Sequence, residues 1–101
     1  MINNKQRAFL RTLSNSFENT FQIGKSGISD QTVKQYDEIL TAREIVKTNV
    51  LKTCETSPKE TANNIAELVQ ADVVIVVGRK FVLYRRSEKL VREGKSIVLP
   101  W

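Results

Sequence analysis

No histidine occurs in the 101 residues, and that absence excludes more chemistry than any other. Ser-His-Asp and Cys-His catalysis, histidine acid–base work and nearly every zinc or iron site need an imidazole. Carboxylates do not fill the gap. They stand as isolated helix-surface residues or as the neighbours Asp37-Glu38, which point in different directions on a helix. With no carboxylate pair at catalytic spacing, no enzyme, no catalytic residue, no metal and no cofactor is expected. The single cysteine, Cys54, cannot close an internal disulfide, which fits a reducing cytosol. No apolar run approaches the ~20 residues that span a bilayer, and the N-terminus lacks a signal-peptide core. A cytoplasmic chain with no membrane partner is expected.

What the chain does have is positive charge gathered in one place. Its net charge is +5, and between Arg79 and Lys95 seven basic residues meet two acidic ones. That segment supplies the whole excess, because the remaining residues balance nine against nine. Concentrated cations suggest an anionic partner, and nucleic acid is the commonest for a compact domain. A solvated, solubilising surface is the plain alternative. At this length, with 41% hydrophobic residues, the chain supports one domain with one modest core. The domain takes in residues 1–101, with its core at about 3–86. No repeat, linker or low-complexity tract interrupts it.

Two of the four glycines fall within one short stretch, Gly24-Lys25-Ser26-Gly27. An apolar run, Phe21 to Ile23, precedes it and a helical pattern follows. Glycine adopts positive φ freely and lets a backbone approach a ligand closely. Ser29 reads as a helix N-cap, Ile28 and Val33 as a hydrophobic staple, and Asp30 as a first-turn acid. A Gly-x-x-Gly loop carrying a lysine and feeding a helix start is a natural seat for a phosphate. Ordinary strand-to-helix turns also contain glycine, so the loop alone leaves both readings open.

Along the chain, residues 3 to about 16 read as a helix capped by Asn3 or Asn4. Gln6, Phe9, Leu10, Leu13 and Phe17 form its stripe, while Lys5, Arg7 and Arg11 lie mainly off it. Arg7 and Arg11 stand one turn apart, a mild repulsion unless something anionic faces them. A basic face expected next to the glycine loop suggests a shared anionic ligand, and a plain amphipathic surface helix is the alternative. Thr20 to Ile23 is a short strand. Asp30 to about Ala42 is a helix burying Val33, Tyr36, Ile39 and Leu40, with Asp30–Lys34 as a surface pair and Lys34 in reach of the loop. Arg43 to Leu51 is a strand with its Val46–Thr48–Val50 side buried.

Ser57-Pro58-Lys59-Glu60 starts a third helix with a serine cap, proline at N1 and a capping box. Ala62, Ile65, Ala66, Leu68 and Val69 form its buried face. Val73 to Val77, five apolar residues in a row, reads as a central strand covered on both sides. Gly78-Arg79 turns the chain, and Lys80 to Arg86 returns as its hairpin partner. Phe81 and Leu83 share one side of that partner, and Lys80, Val82, Tyr84 and Arg86 the other. Tyr84 is the one candidate for an exposed stacking platform, the phenylalanines and Tyr36 being better placed in the core. Residues 87–101 leave open whether Ile97 to Leu99 form an edge strand or an adhering tail. The order α-β-α-β-α-β-β predicts an α/β domain of two or three layers around a four-stranded mixed sheet.

These words in this order resemble the CRM domain family (chloroplast RNA splicing and ribosome maturation), especially its bacterial single-domain, YhbY-like members. The resemblance rests on Lys5-Gln6-Arg7 with Leu10-Arg11, on Phe21 through Ile28, on Arg43-Glu44-Ile45-Val46-Lys47, and on Val77-Gly78 leading into Leu83-Tyr84-Arg85. It implies a fold similar to the C-terminal domain of translation initiation factor three. It also implies a non-catalytic RNA-binding protein whose loop touches the RNA backbone, with ribosomal RNA of the large-subunit precursor (the pre-50S particle) as partner. Carried over, the RNA-binding positions are Gly24, Lys25, Ser26 and Gly27, supported by Lys5, Arg7, Arg11 and Arg85. Lys34 joins them from its place on the second helix. Ser26 departs from the glycine often found there, which questions any loop geometry needing positive φ at that position. A monomer without a small-molecule substrate is expected. The alternative is a protein-interaction module that docks a ribosomal protein or assembly factor through the basic 79–95 segment.

Overall fold

Each helix begins where a short polar side chain can satisfy its first free N–H groups. Asn3 caps α1 (Asn4–Ser14): its Oδ1 accepts from Gln6 N at 2.8 Å, and Gln6 Oε1 accepts from Asn3 N at 3.0 Å. Gln6 is therefore half of a capping box and not part of the apolar stripe. Ser29 caps α2 (Asp30–Arg43) through Thr32 N, and Ser57 caps α3 (Pro58–Val69) through Glu60 N, both at 3.2 Å. Helices α2 and α3 each end on a left-handed residue, Glu44 (φ 67°) and Gln70 (φ 57°). The computed structural model describes residues 2–16 and 21–100. Phe17, Thr20 and Trp101, which the sequence places on the α1 stripe, at a strand start and in the tail, lie outside the described residues.

The strands are β1 (Phe21–Ile23), β2 (Ile45–Val50), β3 (Asp72–Val77) and β4 (Lys80–Tyr84). They form one four-stranded sheet in the order β1-β2-β4-β3, with β1 parallel to β2 and the other pairs antiparallel. Helices α2 and α3 cover one side. There Tyr36, Leu40, Ile65 and Val69 pack on Ile23, Val46, Val50, Phe81 and Leu83. Helix α1 covers part of the other, where Leu10 meets Val74, Val82 and Tyr84. The result is a three-layer α/β domain with the expected element order. Period-2 alternation in β4 sends Phe81 and Leu83 to the first core and Val82 and Tyr84 to the second.

Several expectations need correction. Strand β3 is an edge strand, and β4 is the buried interior one. The run of valines reflects cover above and below β3 by α3 and α1, which says nothing about neighbours in the plane of the sheet. Its register slips between Val73 and Ile75, so that Val74 and Ile75 both face the second core while Val73 and Val76 face the first. Tyr84 is only 4% exposed, beneath Ile97 and Leu99 of the tail, and offers no stacking platform. Phe9 and Leu68, expected inside, are 39% and 59% exposed. Asp30 and Lys34 make no ion pair, both extending into solvent where such a pair contributes little.

The C-terminal segment forms a short helix, α4 (Glu88–Arg92), and then adheres to the sheet. What holds it is Glu44, fully buried at the turn between α2 and β2. Its Oε2 accepts from Ser87 N at 2.8 Å and Ser96 Oγ at 2.7 Å, and its Oε1 accepts from Ile97 N at 2.6 Å. A buried carboxylate is tolerated because it is saturated with donors.

Candidate nucleic-acid interface

The glycine loop hangs from the end of β1, an edge of the sheet. Gly27 N donates to Gly24 O at 2.9 Å, closing a tight turn with Lys25 and Ser26 exposed at its corners. Gly27 carries φ +65°, which explains the glycine there. Ser26 does not have positive φ, so serine is accommodated without strain. Gly24 is required for a different reason: a Cβ would lie 3.2 Å from Leu51 Cδ1 and 3.5 Å from Thr53 Oγ1. The loop therefore packs on the turn that follows β2. Of its N–H groups, Gly27 closes the turn and Thr32 is held by the Ser29 cap, while those of Lys25, Ser26, Asp30 and Gln31 make no backbone hydrogen bond. Open donors around a turn that enters a helix make an anion-binding concavity.

Parallel pairing of Ile23 with Val50 sets the turns after β1 and β2 side by side. Leu51 N donates to Ile23 O at 2.7 Å, and Lys25 and Lys52 each stand two residues past that last pair, both exposed. Lys52 was not singled out from the sequence. Its signal was available in the β1–β2 pairing, since whatever follows β2 must flank the loop. Arg79, in the β3–β4 turn, closes the same end by donating to Val50 O at 2.7 Å and Leu51 O at 2.8 Å.

The basic residues carried over from the resemblance fall into two groups. Lys5, Arg11, Lys25 and Lys34 are exposed and make no hydrogen bond or ion pair among the described residues. Arg7 and Arg85 are engaged. Arg7 Nε donates to Val73 O at 3.3 Å, along the open edge of β3. Arg85, on the stretch just after β4, donates to Asp37 Oδ1 at 2.7 Å and to Asp37 O, Val69 O and Thr41 Oγ1 at 3.0 Å each. Its guanidinium thus locks α2, α3 and the sheet end together, at 21% side-chain exposure.

Helix α1 does not adjoin the loop. It lies over β3 and β4, whereas the loop leaves β1, so Lys5 and Arg7 sit across the width of the sheet from Gly24 to Gly27. Arg11, near the end of α1, borders a cleft with Lys47 and Lys80 on the sheet. Lys34 and Arg85 line a separate shallow hollow with Asp30, Asp37 and exposed Leu68. The 79–95 segment does not form one patch either. Arg79 and Lys80 stand at one end of β4, and Arg85 and Arg86 at the other.

Among the described residues no group of histidine, cysteine, aspartate or glutamate is arranged to hold a metal. No helix among them is long and apolar enough to cross a membrane. Cys54 is buried, with its Sγ 3.4 Å from Thr56 Oγ1.

This arrangement has counterparts among known proteins. The chain is 36% identical over 100 residues to the Probable RNA-binding protein YqeI of Bacillus subtilis (strain 168), covering 99% of this chain and 100% of that one. The solution structure of hypothetical protein SAV1595 from Staphylococcus aureus, for which an RNA-binding role has been put forward, superposes with a TM-score of 0.78. It is likewise 36% identical and covers 99% of this chain and 100% of its own. Residues 2–85 match the CRS1 / YhbY (CRM) domain. Matched by the domain over residues 2–85 and by both relatives over 99% of its length, the chain belongs to the CRM domain family.

Proposed function

We propose that the chain is a non-catalytic RNA-binding protein that grips an RNA backbone at Gly24 to Gly27 and acts on ribosomal RNA during maturation of the large subunit. The observation that carries this reading is the corner itself. Open N–H groups at Lys25, Ser26, Asp30 and Gln31 stand beside two exposed lysines, Lys25 and Lys52. N–H groups supply geometry and lysines supply long-range attraction, the combination that backbone recognition uses. The names of both relatives, each covered along its full length, support RNA as the ligand class. Structured RNA presents phosphates and 2′-hydroxyls before base edges, so the loop reads shape. Arg85 enters as a positioning residue, because its donors are spent on α2 and α3. The protein works as a cytoplasmic monomer on the pre-50S particle.

The test is a Lys25→Glu, Gly27→Glu double variant in an rRNA binding assay with a parallel melting curve. Binding is lost while melting falls only by the strain of a non-glycine residue at φ +65°, about 1 kcal/mol. Retained binding overturns the loop's role. In the wild type, about four phosphate contacts on single-stranded RNA give a log–log salt slope near roughly −3. RNase treatment of ribosomal particles separates the alternative, since a protein-docked module stays bound.

A further inference from the structure

Among the described residues, the side of the sheet opposite α2 and α3 is covered only in part, by α1 and the tail, and the rest carries an unusual row. Gln22 pairs with Asn49, Asn49 with Lys80 and Lys80 with Val77, so these four residues cross all four strands side by side. Gln22 and Asn49 lie one residue before the ends of β1 and β2, and Val77 and Lys80 flank the β3–β4 turn, all at the end of the sheet that carries the glycine loop. Asn49 is paired on both sides, a position where β-branched residues are favoured and asparagine is not. Its amide makes no hydrogen bond within the described chain, and neither do the side chains of Gln22, Lys80 and Arg11. Thr48, the polar residue beside it on the other face, is by contrast satisfied by the Tyr36 hydroxyl. A disfavoured residue with no structural return marks a position held for another purpose.

Behind this row the end of α1 leans over the sheet. The two meet in a cleft of about 290 Å³ whose lining includes Arg11, Asn15, Lys47, Val77, Lys80 and Val82. Lys47 Nζ donates to Ser14 O at 3.4 Å and so ties the helix end to the strand. Among the described residues the cleft is lined by cations, the Asn15 amide, Ser14, Phe81 and aliphatic groups, with no carboxylate.

The geometry points to a second RNA contact here: an unpaired base whose edge is read by the Gln22 and Asn49 amides, next to the cleft that Arg11 and Lys80 line. This rests on the RNA reading above and adds base recognition to the loop's backbone grip. An amide presents a donor and an acceptor together, which matches a base edge, whereas a phosphate can use the donor alone. Arg11 and Lys80, free of acidic partners, flank the site with charge for the neighbouring phosphates. The strand must be unpaired. An A-form duplex keeps one set of base edges in a deep, narrow groove closed to side chains, and its shallow groove is read mostly by shape. Continuity with the loop sets the path, because Gln22 on β1 precedes Gly24, the first loop residue, by two positions.

The test compares wild type, Gln22→Ala/Asn49→Thr and Lys25→Glu/Gly27→Glu for binding to unstructured A, C and U oligoribonucleotides and to a mixed-sequence RNA duplex. Wild type prefers one oligonucleotide by about tenfold, the discrimination of one good base-edge contact. The Gln22/Asn49 variant loses that preference and keeps its duplex affinity, whereas the loop variant loses affinity for every RNA. Asn49→Thr keeps the strand β-compatible, and the side-chain amide NMR signals of Gln22 and Asn49 in the wild type shift with single strands only. Equal preference in wild type and Gln22/Asn49 variant, or amide signals that ignore the single strands, overturns the inference while leaving the loop intact. A wild type that binds no RNA at all overturns both.

Discussion

The two sides of the sheet are built on different terms. On one, α2 and α3 bury a continuous apolar layer around Phe81, Leu83, Ile65 and Leu40, each at most 1% exposed. On the other, α1 and the tail shield only part of the strands, and the rest presents Gln22, Asn49 and Lys80. Stability is concentrated on the first side, which leaves side chains on the second available for a ligand. Cations divide similarly: Arg79 and Arg85 bond to main-chain carbonyls and hold elements together, while Lys25, Lys52 and Arg11 are exposed and, among the described residues, unpaired.

Substitutions on either side would break or sharpen that contrast. The largest loss is expected for Phe81→Ala, about 3–5 kcal/mol in denaturant unfolding, since a cavity opens in the middle of the closed core. Next is Glu44→Ala at about 3 kcal/mol, because Ser87 N, Ser96 Oγ and Ile97 N lose their acceptor. Amide exchange at Ile97 should quicken by more than exchange in β4, showing the tail released first. Arg85→Ala is expected to cost about 2 kcal/mol and to leave the RNA affinity of the folded protein within about twofold. A large affinity loss there would make Arg85 a contact residue after all.

The smallest effect at neutral pH belongs to Tyr36→Phe, about 1 kcal/mol, from the Thr48 hydroxyl left without its partner. Its pH signature is sharper. Burial pushes the Tyr36 phenol far above its ordinary value of 10.0. In the unfolded chain it ionises near pH 10, so there the unfolded state binds fewer protons and stability falls as pH rises. Tyr84 shifts the same way, first through burial and then through the Glu44 carboxylate. Unfolding curves from pH 9 to 11 should therefore slope downward in wild type and less steeply, though not flat, in the variant.

Local rules made much of this legible. Ser29 and Ser57 announced their helices, alternation sorted Phe81 and Leu83 from Val82 and Tyr84, and the spacing of Gly24 and Gly27 marked the turn. What escaped depends on distant partners. Glu44 gave no sign of its role because its donors lie 43 to 53 residues away. Arg85 looked available because its acceptors sit on two helices from earlier in the chain. Tyr84 looked exposed because nothing periodic foretold the tail that covers it. Arg7 and Arg11 were expected beside the loop, yet neighbours in sequence order were separated by the sheet order β1-β2-β4-β3.

The slipped register in β3 carries one further consequence. A flat outer strand offers a row of unpaired main-chain groups on which another chain can extend the ladder. Here the extra residue at Val74 kinks that border and Arg7 occupies the Val73 carbonyl, while the opposite border, β1, is only three residues long. Self-templating growth is obstructed at both margins, so the sheet can leave one face partly bare without inviting copies of itself to stack strand on strand.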